Sequence, residues 1–130
     1  AISHWWRSKS HPDPEGITLQ LLGEALQKLM PTYRKCKVDD VGVFLDWCSL
    51  YQEPRETPEE KLAFKESLRS INLWYAHALT TVYMVTDTPE GEEVVPYHQR
   101  GWTTFEYQLS WLIKLSDHQN VWPQVVDLGS

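Results

Sequence analysis

The sequence predicts an α/β fold in which helices cover both faces of a parallel β-sheet. Short segments rich in β-forming residues alternate along the chain with longer segments whose apolar residues recur at helical spacing. Such helical segments can connect parallel strands, and right-handed connections place helices on both faces of the sheet. The length of 130 residues, with 42% hydrophobic and 23% charged residues, suits one globular domain.

The first half of the chain contains two predicted strands and one predicted helix. Residues 2–4 form the end of the first strand. A turn at residues 11–16 precedes a helix at residues 17–30, which Pro31 is expected to end. Residues 41–45 form a continuous apolar run rich in β-formers, so we expect a strand that is covered on both faces.

The second half adds two helices and two strands. A cap, a proline and two acids at residues 57–60 predict the start of a helix that ends near residue 78. The other predicted elements are a strand at residues 81–86, a loop at 87–97, a helix at 101–114 and a last strand at 121–126, weakened by Pro123. Together these elements predict a single domain over residues 1–130, a three-layer α/β sandwich with a parallel flavodoxin-like sheet.

Charge and cysteine content limit which partners and which cellular compartment we expect for this protein. Twelve Lys and Arg against 18 Asp and Glu leave a net charge of −6, which argues against nucleic acid as a partner. No apolar run or amino-terminal pattern indicates a membrane span or signal peptide, and the missing initial Met suggests excision from a longer chain. Cys36 and Cys48 flank the predicted strand 41–45, too far apart for a disulfide, so we expect free thiols and a cytoplasmic location.

Polar and aromatic side chains are expected at one edge of the sheet, because ligands bind beyond the carboxyl ends of parallel strands. The chain has seven Trp and six Tyr, residue types that build ligand clefts as well as cores. The predicted helix that follows the loop at 87–97 has its first turn at the same edge of the sheet. The residues predicted at this edge are Ser3, His4, Trp5, Trp6, Asp46, Trp47, Trp102 and Glu106.

Glu106 is the strongest catalytic candidate at that edge. It borders a predicted apolar stripe of Phe105, Leu109 and Leu112, and its place near a helix start favours the ionised carboxylate. An ionised carboxylate beside an aromatic wall can stabilise positive charge on a sugar ring as a glycosidic bond breaks. The alternative is a solvated glutamate at a helix start.

The other polar candidates also have structural alternatives. Asp46 would bind a ribose hydroxyl or cap a loop, and His4 would contact a ligand or lie in the core bonded to the backbone. Cys48 lacks a recognisable base, which argues against a nucleophile. The histidines at positions 4, 11 and 98 lack the spacing of metal ligands, so we expect no metal.

In order and spacing, these segments resemble a Toll/interleukin-1 receptor (TIR) domain. The resemblance covers residues 3 to 111 and rests on four segments, at residues 2–4, 43–46, 70–78 and 102–106. TIR domains carry Ser-x-Trp-Cys-x-x-Glu at the last point; here the Trp-to-Glu spacing is kept, but Arg100 and Thr103 replace the Ser and the Cys.

Those two departures resemble the Arg-x-Trp-Thr-x-x-Glu motif of fungal heterokaryon-incompatibility (HET) domains. Those domains also carry Asp-x-x-Cys-x-x-Gln after a strand. Asp46 and Gln52 keep that spacing, and Cys48 lies one position early.

The resemblance implies an NAD glycohydrolase that cleaves the nicotinamide–ribose bond in immune or cell-death signalling. Glu106 would be catalytic, and NAD would be the substrate, with no further cofactor. The implied substrate-binding residues are Ser3, His4 and Asp46 around the nicotinamide and ribose, Trp5, Trp6 and Trp47 as aromatic walls, Arg100, and Trp102, which would also hold the Glu106 helix. The loop at 51–58 implies a homo-oligomer assembled through TIR-type contacts, with no membrane partner.

Two other functions stay open. Many TIR domains only assemble signalling complexes, so the chain is alternatively a non-catalytic self-association module. Nucleoside deoxyribosyltransferases share a parallel sheet and a catalytic glutamate, so the chain is alternatively a related N-glycosidic enzyme.

Overall fold

Helices and a small parallel sheet make up the computed structural model, which describes residues 1–8, 10–87, 95–114 and 122–129. The strands are β1 (Ile2–His4), β2 (Val82–Val85) and β3 (Val125–Asp127). The helices are α1 (Ile17–Lys35), α2 (Asp46–Ser49), α3 (Pro58–Ala76) and α4 (Gly101–Lys114), with a 3₁₀ turn at Tyr97–Gln99 before α4.

The three strands are parallel in the order β1-β2-β3, which confirms the predicted α/β class. Ser3 of β1 pairs with Met84, and Val126 of β3 pairs with Tyr83. All four residues of β2 are buried. A central strand covered on both faces has this continuous apolar sequence.

Successive side chains of β2 enter two different hydrophobic clusters. Val82 and Met84 belong to a cluster with residues of α3, whereas Tyr83 belongs to a cluster with residues of α1. The first cluster contains Trp5, Ile71, Tyr75, Val82, Met84 and Tyr97, with Tyr107, Leu109 and Trp111 of α4 against it. The second contains Ile2, Leu22, Ala25, Leu45 and Tyr83. This alternation follows from the two-residue period of a strand.

The expectation of a strand at residues 41–45 was wrong. The segment lies beside the free edge of β1, where Ile2 donates its backbone N–H to the Phe44 carbonyl at 3.0 Å. Gly42 is exposed and the Val43 side chain is 47% exposed, so the run lacks the cover that a buried strand needs.

Helix α1 continues beyond Pro31, against expectation, and ends at Lys35. Tertiary packing retains the last turns, because Tyr33 is fully buried and donates its hydroxyl to Thr81 Oγ1 at 2.8 Å. Those contacts offset the backbone hydrogen bond that proline cannot make.

The local signals for α3 and α4 predicted their limits well. Thr57 and Glu60 form a reciprocal capping box at the start of α3, and α4 spans the predicted residues. Strand β3 begins two residues after Pro123; the predicted strand residue 121 and loop residues 88–94 lie outside the described residues. Cys36 and Cys48 are free thiols.

The helices of the described segments were also compared with the requirements of a membrane span. None of them is long and apolar enough to cross a bilayer.

Replacing Thr57 by Ala removes the acceptor for the Glu60 backbone N–H, which lies 3.2 Å from Thr57 Oγ1. We expect the free energy of unfolding to fall by about 1 kcal/mol in urea titrations. Thr57→Ser keeps the hydroxyl and should retain most of the stability. Equal losses in both variants would contradict a capping role.

Candidate active site

A cavity of about 380 Å³ opens at the carboxyl end of β1, between α2 and the first turns of α4. Its volume falls in the range of small-molecule sites, roughly 300–1,000 Å³. It is lined by Ile2, His4, Trp6, Asp46, Arg100, Trp102, Thr103 and Glu106. Several residues that the sequence places at one edge of the sheet therefore line a single cavity.

Helix α4 buries polar residues, although its Tyr107, Leu109 and Trp111 also pack against the first cluster. Its buried positions are Thr103, Glu106, Ser110 and Lys114, three or four residues apart. Of the predicted apolar stripe, Leu109 packs against the first cluster, whereas the expectation was wrong for Phe105 and Leu112, which are exposed. A helix that buries polar side chains needs polar partners on the elements it packs against.

Ser3 and Tyr97 supply partners for Glu106, whose residue surface is only 2% exposed. Ser3 Oγ donates to Glu106 Oε2 at 2.5 Å, and the Tyr97 hydroxyl also contacts Ser3 Oγ. A serine hydroxyl has one proton, so Tyr97 donates to Ser3 when Ser3 donates to Glu106. The result is a buried chain of hydrogen bonds that ends on the carboxylate.

Burial raises the pKa of Glu106 to about 7, from its ordinary value of 4.5. The Ser3 and Tyr75 hydroxyls lower it, and the nearby Asp46 carboxylate raises it. The expectation that the helix start keeps this carboxyl ionised was wrong, because desolvation is the larger effect. Near neutral pH, Glu106 can therefore either accept or donate a proton.

His4 lies at the end of β1 and is 7% exposed. Its Nε2 atom is buried and has no hydrogen-bond partner in the described part of the chain. Burial lowers the pKa of His4, although Asp46 and Asp13 act in the opposite direction. A neutral imidazole with a free nitrogen therefore lines the cavity.

Asp46 occupies the first position of α2 and also lines the cavity. Its Oδ1 accepts the Trp47 backbone N–H at 2.7 Å, a local contact of the kind that the structural alternative for this residue predicts. Trp102 lines the same cavity and is 47% exposed. Part of its indole surface is thus open to contact with a ligand.

The remaining predicted residues surround the cavity at different depths. Trp5 is buried in the core and does not line the cavity; its Nε1 donates to the Asp87 carbonyl at 3.0 Å. Trp6 lines the cavity and packs edge-to-face on Trp47, with ring centres 5.1 Å apart. Arg100 lines the cavity, and its Nε donates to the Val95 carbonyl at 2.8 Å.

Six of the nine predicted site residues thus line one cavity: His4, Trp6, Asp46, Arg100, Trp102 and Glu106. Ser3 does not line the cavity but donates a hydrogen bond to Glu106, and Trp47 packs against Trp6. Trp5 supports the site from the core.

Sequence reasoning missed three contributors. Tyr75 lies on the apolar stripe of α3, and its hydroxyl donates to the Ile2 carbonyl at 3.1 Å. Tyr97 follows a loop with no recognisable signal. Thr103 Oγ1 donates to the Tyr97 carbonyl at 2.5 Å. Thr103 belongs to the motif at residues 100–106, but the sequence did not predict its contact.

A larger cavity of about 730 Å³ lies between α1, residues 38–44 and the free edge of β1. Its lining is mostly apolar and includes none of the nine predicted site residues. Within the described residues, no group of three or more His, Cys, Asp or Glu side chains could hold a metal ion. The smaller cavity around Glu106 is therefore the candidate site.

Comparisons with known proteins add no assignment. No family model, curated protein or solved structure matches this chain.

Glu106→Gln should gain stability relative to the native protein as the pH rises. The carboxyl is protonated in both the folded and unfolded chain below pH 4.5, and its ionisation opposes folding as the pH rises to about 7. The stability of the variant relative to the native protein should therefore rise by roughly 3 kcal/mol between pH 4.5 and 8. Chemical denaturation at several pH values measures this difference; a pH-independent difference would contradict the raised pKa.

Proposed function

We propose that this chain is a TIR-like domain, close to the HET branch, that cleaves the nicotinamide–ribose bond of NAD. The observation that carries the proposal is Glu106, a buried carboxyl with a hydrogen-bonded partner in a cavity at the carboxyl edge of a parallel sheet. The proposal includes a three-layer sandwich with a flavodoxin-like sheet. The two clusters on alternate residues of β2 support that arrangement.

Glu106 suits the bond that breaks. Nicotinamide in NAD carries a positive charge, so it leaves as a neutral ring when the bonding electrons return to its nitrogen, and it needs no proton. The positive charge moves to the ribose, where an ionised carboxylate in a low-dielectric cavity can stabilise it. Water then adds to the anomeric carbon and loses one proton, giving ADP-ribose.

The neighbours of Glu106 support both its ionised form and substrate placement. The Ser3 hydroxyl favours the carboxylate that the reaction needs. Trp6 and Trp102 offer aromatic surface to a flat pyridine ring, and Asp46 offers carboxylate oxygen to ribose hydroxyls. The mixture of aromatic and acidic lining fits a cationic aromatic base on a sugar.

Incubation with NAD and chromatographic measurement of nicotinamide tests the activity. At high protein concentration, which favours any assembly the activity needs, we expect release by the native protein and about a hundredfold loss in Glu106→Gln. Glu59→Gln is the matched control, because Glu59 is exposed at the start of α3. Equal release by the native protein and Glu106→Gln would overturn the proposal.

The same assay separates the two alternative functions. Release of a base from deoxynucleosides, with none from NAD, would identify a deoxyribosyltransferase-like enzyme. No turnover of either substrate, together with concentration-dependent light scattering, would identify a non-catalytic self-association module.

The pH profile should report the Ser3–Glu106 hydrogen bond. If the ionised carboxylate is the active form, kcat/KM for NAD rises with pH and levels off above about 7. Ser3→Ala removes the hydroxyl that lowers the Glu106 pKa, so the midpoint should move to higher pH. Ser70→Ala, at an exposed position of α3, should leave the midpoint unchanged. An unchanged midpoint in Ser3→Ala would contradict this role.

A further inference from the structure

We infer that Arg7 and Arg100 form a phosphate-binding site at the rim of the Glu106 cavity, for the pyrophosphate of a dinucleotide. This inference rests on the proposed function and names residues for a part of the substrate remote from the bond that breaks. It starts from a contact that the sequence did not predict. Two guanidinium groups from separate segments of the chain lie against the ring of Trp5.

Trp5 is a rigid support for these two groups. It belongs to the hydrophobic core, and its Nε1 is held by the Asp87 carbonyl. The Arg7 and Arg100 guanidinium carbons each lie 5.1 Å from the ring centre, which places them within about 10 Å of each other. Two like charges at this separation repel, and an anion that contacts both groups would offset that repulsion.

Arg7 has unused capacity for an anion. Its side chain is 14% exposed, and its Nε is buried with no hydrogen-bond partner among the described residues. Arg7 forms an ion pair with Asp13, whose Oδ1 lies 3.9 Å from that nitrogen, too far for a hydrogen bond. Both Asp13 oxygens already accept backbone N–H groups, from Thr18 at 3.1 Å and Leu19 at 3.0 Å. Asp13 thus accepts hydrogen bonds from the first turn of α1.

Arg100 connects this pair to the cavity. Its Nε is occupied by the Val95 carbonyl, and it makes no ion pair within the part of the chain that the structure describes. Its side chain lines the same cavity as Glu106. A ligand whose ribose lies beside Glu106 can therefore extend its phosphates towards Arg100 and then Arg7.

The charge of the cavity favours such a site for a dinucleotide. The chain carries a net charge of −6, and Asp46 and Glu106 line the cavity, so the local field opposes an anionic ligand. Guanidinium groups offset this field and bind phosphate oxygens through paired N–H donors. Two guanidinium groups suit a ligand with two linked phosphates better than a ligand without phosphate.

Isothermal titration calorimetry with ADP-ribose tests the site. ADP-ribose lacks the nicotinamide bond, so its binding does not depend on turnover by Glu106. We expect Arg7→Gln and Arg100→Gln each to raise its Kd by about tenfold or more, and the double variant to raise it further. Arg69→Gln is the control, since Arg69 is exposed on α3 and pairs with Glu66 of the same helix. Its Kd should equal that of the native protein.

Two further ligands identify the group that the arginines bind. Nicotinamide riboside lacks phosphate, so the arginine variants should affect its binding or cleavage by less than about twofold. Inorganic pyrophosphate should compete with ADP-ribose on the native protein, and added salt should weaken both ligands. Circular dichroism of every variant checks that the fold is retained.

The outcomes separate this inference from the proposed function. Absence of ADP-ribose binding to the native protein, or equal Kd values in folded arginine variants, would overturn the phosphate site. Arginine-dependent ADP-ribose binding without nicotinamide release from NAD would support the site and overturn the glycohydrolase. Equal losses for nicotinamide riboside and ADP-ribose would overturn recognition of phosphate.

Discussion

The hydrogen bond from Ser3 to Glu106 joins β1 to α4 inside the protein, and the candidate site depends on it. A carboxyl group that is almost completely buried destabilises the fold unless polar groups surround it. Tyr97 completes the chain of hydrogen bonds through Ser3, and Tyr75 lies close enough to lower the Glu106 pKa. Hydrogen bonds around one carboxyl group thus link β1, the turn at Tyr97 and α4.

The same requirement accounts for the polar residues that α4 buries. In an ordinary amphipathic helix the apolar stripe faces the core. In α4, Thr103, Glu106, Ser110 and Lys114 are buried, and Phe105 and Leu112 are exposed. Thr103 binds the Tyr97 carbonyl, and Lys114 Nζ binds the Thr80 carbonyl at 2.5 Å. Burial of these groups opposes stability, and this arrangement is typical of a site whose polar groups are retained for chemistry.

Elements with strong local signals were predictable, and elements that depend on partners were not. A capping box and a proline mark the start of α3, so its first residue follows from neighbouring residues alone. Residues 41–45 have the composition of a strand, but a strand also needs a paired edge and cover on its faces. Pro31 has a local preference to end a helix, and the buried Tyr33 beyond it overrides that preference.

The sequence alone determined the α/β class, the limits of α4 and most of the residues that line the cavity, because parallel strands bring their carboxyl ends to one edge. It also singled out Glu106. Only the tertiary structure decided the environment of that carboxyl: its burial, its bond to Ser3 and a pKa of about 7. It likewise brought Arg7 and Arg100 together on Trp5. Desolvation and contacts between distant segments arise from packing, and residue spacing along the chain carries no direct record of them.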